Sequence, residues 1–386
     1  MTASYTLFGM AASLYTARVR SYMRTNGVPF KEVKAGSKEF LSEIVPQVGR
    51  WMIPVIRTPE GQIIQDGADI IDHLDRAGFS KNPIYPEHPT LLVLAHLFEL
   101  YGAQGLLRPA MHYRWNFDAV NLQFIRDTFR DVIPVGLPPE AQEPAFLDAS
   151  GRMRKATIAL GVTPEAVPMI EESYAQFLRL MNAHLDDHPF MLGGHPTIAD
   201  YGLIGAMYAH LGRDPAPLQL MQTIAPRVFR WTERMNMAET FEDEAQSKSG
   251  GNLLDGDNLP KTLVEILRFI AGDYLAEITA HVEFTNAWLD ANPEVTTGTS
   301  TRDKVMQKPI GLAPFSWRGI DMQSAVLPYR FYLLNRLQDA AAVQDKDASA
   351  AIQALFAETG LEPILNVRTK RRMERADNHE AWGELV

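Results

Sequence analysis

The chain has 386 residues, 46% of them hydrophobic and 22% charged, the balance of a soluble globular protein with room for two or three domains. It contains no cysteine, so disulfides, zinc–thiolate sites, CxxC redox chemistry and a cysteine nucleophile are excluded. Its 37 basic and 47 acidic side chains leave a formal charge of −10, the wrong sign for a general nucleic-acid binder. The first ten residues hold no basic segment followed by an apolar run, so no signal peptide is expected. No run approaches about 18 consecutive apolar residues, so no transmembrane helix is expected. The expectation is a cytoplasmic protein with no membrane or nucleic-acid partner.

The first 80 residues mix strand and helix signals. Tyr5, Leu7 and Phe8 belong to a β-prone run ending at Gly9. Over residues 14–24, Leu14, Val19, Tyr22 and Met23 share one helical face, and Asn26-Gly27 stops the helix because glycine accepts a left-handed conformation. Residues 28–33, 51–56 and 62–65 read as further strands, the last two joined through the Pro59-Glu60-Gly61 turn. Asp66 is placed to cap a helix through Ile70, Ile71 and Leu74 that ends near Gly78. The order is βαβ, then ββα.

Residues 86–240 read as almost wholly helical, with runs over 91–101, 117–132 and 166–185. Pro134, Pro138, Pro139 and Pro144 predict a loop. Residues 197–208 are apolar and nearly uncharged, which predicts a buried central helix, capped by Thr197 with Asp200 three positions on. The polar, Gly/Ser-rich stretch 242–257 reads as a linker. Beyond it, helices are predicted over 260–290, 326–337 and 348–359, with a loop-rich stretch over 298–319. The basic cluster Arg368, Lys370, Arg371, Arg372 and Arg375 reads as a solvated helix end. Three units follow: residues 1–82, 86–245, and a mostly helical 246–386.

Familiar catalytic motifs are missing: there is no GxxxxGK[ST], no GxGxxG after a strand, no GxSxG and no HExxH. His184 and His188 have metal-compatible spacing, but two histidines alone read as a polar helix end, and no metal is expected.

Four stretches carry a resemblance. Met52-Ile53-Pro54-Val55-Ile56 resembles the apolar-Pro-Val-Leu stretch of glutathione transferases, whose proline is cis. Gln65-Asp66-Gly67-Ala68-Asp69-Ile70-Ile71-Asp72-His73-Leu74 is similar to that family's acidic-Ser-x-x-Ile-x-x-Tyr-Leu stretch. Ser13-Leu14-Tyr15-Thr16-Ala17-Arg18-Val19-Arg20 is similar to the start of its first helix, where the active hydroxyl or cysteine sits. Leu192-Gly193-Gly194-His195-Pro196-Thr197-Ile198-Ala199-Asp200-Tyr201 resembles its buried capping-box helix. The resemblance covers about residues 4 to 240. It implies an α/β thioredoxin-like N-terminal domain followed by an all-α, glutathione-transferase-type helical domain. The C-terminal segment is additional, either a lobe on the helical domain or a dimer element.

The resemblance also implies a chemistry. Ile53 and Pro54 would turn backbone N–H and C=O groups toward an extended tripeptide, glutathione, that pairs as an added strand. Asp66 would bind the γ-glutamyl ammonium, and the N–H of Gly67 at a helix start would hold the α-carboxylate. Arg50 or Trp51 would reach the cysteinyl-glycine end. Gly67 stands where the family has serine, which removes one contact. Ser13 is the candidate activator, with Tyr15 and Thr16 as rival hydroxyls and an ordinary N-cap as the alternative role. A thiol of pKa ~8.5 is only about 3% thiolate at pH 7, and lowering it by about two units needs ~2.7 kcal/mol. A helix N-terminus supplies ~0.3–1 kcal/mol and one hydroxyl hydrogen bond to the thiolate ~1.5–3 kcal/mol, so the pair reaches the required size. Met10, Tyr101, Met111, Tyr113 and Trp115 are the candidate acceptor-site residues, an apolar wall suited to a hydrophobic small molecule.

The expected activity is therefore a glutathione transferase, with glutathione as co-substrate and thiolate attack on a hydrophobic electrophile. The alternatives are a non-catalytic interaction module of the same fold, or a glutathione-dependent lyase, isomerase or peroxidase. A homodimer is implied by the resemblance alone.

Overall fold

The computed structural model describes residues 4–238, 251–306 and 309–386. Its N-terminal sheet has the order β2-β1-β3-β4. β1 (Tyr5–Gly9) pairs parallel with β2 (Phe30–Lys34) and antiparallel with β3 (Val55–Arg57), which pairs antiparallel with β4 (Ile63–Gln65). The parallel pair needs a crossover, which α1 (Leu14–Thr25) supplies. A short π-turn over Phe40–Ile44 leads into α2 (Val45–Val48), and α3 (Gly67–Arg76) follows β4. This is the thioredoxin-like arrangement of the glutathione-transferase type. β2 starts two residues later than the sequence suggests, because the Val28 N–H still bonds Met23 O and belongs to the end of α1.

The next part is helical: α4 (Pro89–Leu100), α5 (Leu107–Trp115), α6 (Asp118–Phe129), α7 (Pro139–Ala159), α8 (Val167–His184), α9 (Ile198–Ala209), α10 (Pro215–Ile224) and α11 (Pro226–Arg234). A π-turn over Tyr101–Gly105 joins α4 to α5. The continuous run Pro89–Trp115 is long and apolar enough to cross a membrane by length and composition, which the 18-residue rule missed, and 94% of its apolar window is buried inside the fold. The proline-rich loop is corrected in part. Pro139 opens α7 at the first helical position, where a missing N–H costs nothing, and the helix runs on through Pro144.

α9 lies at the centre. Asp200 has no exposed surface, and its carboxylate accepts from the N–H groups of Thr197 (3.0 Å) and Met191 (3.0 Å) and from Trp231 Nε1 (3.0 Å). Helix and π-turn touch backbone to backbone here. A Cβ on Gly202 would lie 2.4 Å from Glu99 Cα, and one on Gly102 would lie 2.5 Å from the carbonyl carbon of Gly202. Neither neighbour is a side chain that can swing aside. Gly202→Ala is expected to cost about 1–3 kcal/mol through overpacking, read as a lower urea midpoint at unchanged m-value.

The C-terminal segment holds α12 (Lys261–Ala291), the hairpin β5 (Leu312–Trp317) and β6 (Ile320–Ala325), α13 (Tyr329–Ala342), α14 (Lys346–Thr359), α15 (Glu362–Asn366), and the hairpin β7 (Arg371–Ala376) and β8 (His379–Leu385). The expectation of a mostly helical segment is corrected by these two hairpins. Both turn on two residues with positive φ, Arg318-Gly319 and Asp377-Asn378, the conformation that matches strand twist in tight hairpins. The basic cluster is not a helix end: Arg371, Arg372 and Arg375 lie on β7. Of the expected linker, residues 242–250 lie outside the described residues. Residues 251–257 are tied down, with Gly194 N–H donating to Asn252 O (2.7 Å) and Leu254 N–H to Leu192 O (2.8 Å).

One hydrophobic cluster joins the parts. It runs from Leu7 and Ile71 through Leu97 and Tyr201 to Ile270, Leu334 and Trp382. Two buried ion networks cross the same boundary. Glu99 on α4 bonds Arg18 on α1 (2.6 Å) and Arg336 on α13 (3.3 Å). Glu277 on α12 bonds Arg108 on α5 and Arg330 on α13.

Candidate functional site

The loop after β1 turns at Met10, Ala11 and Ala12 and delivers Ser13 to the start of α1. Ser13 is the N-cap: its Oγ accepts the Thr16 N–H at 3.1 Å. The hydroxyl hydrogen is not consumed by that bond, so capping and donation to a ligand are compatible roles. Removing the cap by Ser13→Ala is expected to cost about 0.5–2 kcal/mol, measurable by thermal unfolding. Thr16 is fully buried and turned into the sheet, where a Cβ on Gly9 would lie 2.3 Å from its Cγ2. Tyr15 lines the same cavity as Ser13. Its hydroxyl receives Gln104 Nε2 at 3.4 Å, its ring meets Tyr329 edge-on at 6.0 Å, and burial raises its pKa.

The Ile53–Pro54 peptide is cis. Ile53 faces the cavity, and Pro54 O accepts the Asp66 N–H at 3.3 Å.

Asp66 sits at φ 110°, a conformation that costs a non-glycine residue about 1–3 kcal/mol. Three donors hold it: Ala68 N–H (2.8 Å), Asp69 N–H (3.4 Å) and the Tyr329 hydroxyl (3.0 Å) all reach Oδ1. With 5% of its surface exposed, Asp66 is covered by the C-terminal segment, and the expected role as a γ-glutamyl anchor is corrected for this conformation. Its neighbours are equally engaged. Asn378 Oδ1 accepts the Gln65 N–H (2.8 Å), and Arg375 donates to Gln65 O (2.8 Å) and to Asp69 Oδ2 (3.0 Å). Arg50 does not point to a tripeptide: it donates to Glu380 (2.8 Å), Gln65 Oε1 (2.9 Å), Asn378 O (2.9 Å) and Thr301 (3.2 Å). Gly67 is overlain by Arg18, whose Cδ would lie 2.7 Å from an added Cβ, so a serine there would press on a buried guanidinium.

Beside Ser13 a cavity of about 560 Å³ opens between the two domains, within the usual range for small-ligand sites. Ser13, Ile53 and Trp51 form one side, and Met111, Arg114 and Trp115 of α5 form the other, with Phe129, Met153 and Leu160 closing it. Of the candidate acceptor residues, Met10, Met111 and Trp115 line this space. Tyr101 and Tyr113 do not, and their placement is corrected. The Tyr101 hydroxyl bonds Asp273 at 2.9 Å, and Tyr113 stacks on Phe117 at 5.2 Å. Both are packing residues of the helical core.

Arg114 lines the cavity beside Met111 and Trp115, and His210, which sequence reasoning missed, braces its wall. His210 lies between Ala110 O on α5 (3.0 Å to Nδ1) and Ala12 O beside Ser13 (3.1 Å to Nε2). Burial, and then the nearby Arg114, hold the imidazole well below its ordinary pKa. A neutral ring donates to one of the two carbonyls at a time, and by lying between them it spans from the loop before α1 to α5.

His184 and His188 are not a metal pair. The His184 nitrogens face Thr262 Oγ1 (2.9 Å) and Met191 O (3.0 Å). Among the described residues no group of three or more His, Asp or Glu is placed to hold a metal ion.

Comparison with known proteins follows the same outline. Residues 7–81 match the family model of the glutathione S-transferase N-terminal domain, and residues 164–234 match that of the C-terminal domain. No curated protein matches the chain. Among solved structures, a glutathione S-transferase of Ceriporiopsis subvermispora in complex with glutathione is 18% identical, with a TM-score of 0.40, over 61% of this chain and 98% of that one. A glutathione transferase of Phanerochaete chrysosporium is 13% identical at a TM-score of 0.41, over 62% of this chain and 98% of that one. The β-etherase LigF of a Sphingobium strain is 14% identical at 0.39, over 60% and 94%. Residues 7–81 and 164–234 thus carry the N-terminal and C-terminal domains of the glutathione S-transferase type, and the chain holds beyond them a segment that neither family model reaches.

Proposed function

We propose that this protein uses the glutathione-transferase frame to bind an apolar small molecule between Ser13, Ile53 and α5, with the γ-glutamyl seat of glutathione filled from within. The observation that carries this reading is the contact of Tyr329 with Asp66, backed by Asn378 and Arg375 on Gln65. These contacts take Asp66 Oδ1 and the N–H, O and Oε1 of Gln65, while the cavity beside them stays open. The test is tryptophan fluorescence during titration with an uncharged apolar probe, methyl 2-naphthoate, with and without millimolar glutathione. Trp51 and Trp115 line the space, so saturable quenching that glutathione leaves unchanged is expected. Absence of saturable quenching overturns the reading.

A second reading, glutathione activation for conjugation, is favoured by Ser13. Its hydroxyl stands at a helix start inside the cavity, and Ile53 makes no backbone hydrogen bond to a described residue. It requires Tyr329 and the β7–β8 hairpin to withdraw. Ultraviolet titration of glutathione thiol in the presence of the protein tests it: the reading expects a depressed pKa that Ser13→Ala restores, and an unshifted thiol contradicts it.

A further inference from the structure

Met10 also lines a second groove, of about 320 Å³, walled by α1, the end of β2 and the turn after α9. Four cations enter it, Arg20 and Arg24 of α1, Lys34 of β2 and Arg213, against two carboxylates, Glu32 and Asp131. This local excess of positive charge stands in a chain of formal charge −10. Arg20 and Arg24 are four residues apart, on one helix face, where like charges repel. Both carboxylates are already engaged. Glu32 accepts from Arg20 Nε at 2.7 Å and Nη2 at 2.5 Å, and Asp131 pairs with Lys34 at 2.9 Å. Arg24 reaches only Asn236 Oδ1, at 3.4 Å. The Arg213 guanidinium rests over the Phe124 ring at 5.4 Å and has no hydrogen bond or ion pair among the described residues. Burial, with the like charge of Arg20 added, holds its pKa below the ordinary arginine value against the pull of Asp214.

A solute can reach these donors. Arg24 is exposed, and so is 59% of the Lys34 side chain. Nη1 of Arg213 is enclosed, but its Nε and Nη2 keep accessible surface without a partner, as does Nη1 of Arg20. Guanidiniums around an open groove suit a compact anion with several oxygens, because each oxygen accepts charge-assisted N–H bonds from a different side chain. The two cations without a carboxylate, Arg24 and Arg213, match the charge of about −1.5 to −2 that a phosphate monoester carries at pH 7. We infer that this groove binds a phosphate group between Arg24 and Arg213, with Lys34 and the free Nη1 of Arg20 at its edge. Free phosphate and a phosphate monoester share this chemistry, and the Tyr208 ring in the wall offers a surface for the organic body of the second. The inference is independent of what the cavity beside Ser13 binds.

The test is calorimetric titration of the full-length protein with inorganic phosphate and with phenyl phosphate, in chloride buffer at constant ionic strength. Saturable binding in the millimolar range or tighter is expected for at least one of them. An affinity for phenyl phosphate about tenfold or more above that for phosphate identifies a monoester as the ligand; affinities that are equal or favour phosphate identify the free anion. Arg24→Gln and Arg213→Gln should each weaken binding about tenfold or more, the effect of one lost charge-assisted hydrogen bond. Lys261→Gln, which removes an exposed charge on α12, should leave it unchanged. Absence of saturable binding by both probes at millimolar concentration overturns the inference. So does binding that Arg24→Gln and Arg213→Gln leave intact, or that Lys261→Gln weakens to the same extent. If Arg213→Gln does not fold, Arg24→Gln, at an exposed position, decides.

Discussion

Glu277→Gln is expected to lower the free energy of unfolding by about 3–5 kcal/mol, the usual cost of leaving a buried charge without its partner. The glutamate is buried on α12, and its carboxylate accepts from Arg108, from Arg330 (2.9 Å) and from the Ser324 hydroxyl (3.1 Å). Arg108 comes from the helical domain, and Arg330 and Ser324 come from the added segment, so a single carboxylate joins three elements. One negative charge already serves two guanidiniums; without it the core holds two like charges with nothing between them. A loss of this size is a large share of the roughly 5–15 kcal/mol that holds a domain folded. Urea denaturation measures it, and a loss below about 1 kcal/mol would show that the network is solvated rather than buried.

The same residue sets a pH signature. Burial alone would raise the Glu277 carboxyl, but Arg108 and Arg330 outweigh it and bring it from 4.5 down to about 2. A folded-state pKa below the unfolded value means that the unfolded chain binds the proton more readily. The stabilisation is therefore complete above the unfolded value and is lost as pH falls from 4.5 towards 2. Denaturant midpoints of wild type should fall across that window more steeply than those of Glu277→Gln.

Trp382→Ala is expected to cost about 3–5 kcal/mol as a large core truncation, and to loosen the β7–β8 hairpin ahead of the rest. Trp382 is 1% exposed and packs against Phe331 and Trp288, each at 6.4 Å between ring centres. Met373 on the partner strand is equally buried, and the remaining anchors are mainly polar, such as Asn335 Nδ2 to Met373 O (3.0 Å), His379 Nε2 to Val48 O (2.8 Å) and Arg375 to Asp69 (3.0 Å). Such a unit opens locally at less than the global cost. Trypsin should then cut at Arg371 and Arg372 at least about tenfold faster than in wild type, under conditions where the core remains folded. Unfolding at a lower urea midpoint without faster cutting would show the hairpin to be inseparable from the core.

The sheet, α1, α3 and the capped α9 are legible from the residues because each carries its own local signal: period-two or helical spacing, a turn, a cap. The added segment is harder to read. β5 is punctuated by Gly311, Pro314 and Gly319, which resembles a loop until Trp317 and Ala313 are seen facing the core. β7 is crowded with arginines whose partners, Asp69, Gln65 and Asp339, lie far away in sequence. The same distance hides the state of the site. Asp66 and Arg50 read correctly as polar groups at the sheet rim, but Tyr329 and Glu380, which engage them, are separated from them by more than 260 residues. His210 escapes notice because a lone histidine in a helical stretch has no local pattern, and its meaning comes only from the distant carbonyls it lies between, Ala12 and Ala110.

Calorimetric titration of glutathione into the full-length protein tests most directly whether the C-terminal segment fills the tripeptide's place. With Tyr329 on Asp66 and Asn378 on Gln65, no saturable heat is predicted at millimolar glutathione, and the double variant Tyr329→Phe, Asn378→Ala should gain measurable binding. Saturation of the unmodified protein at micromolar glutathione would contradict the account.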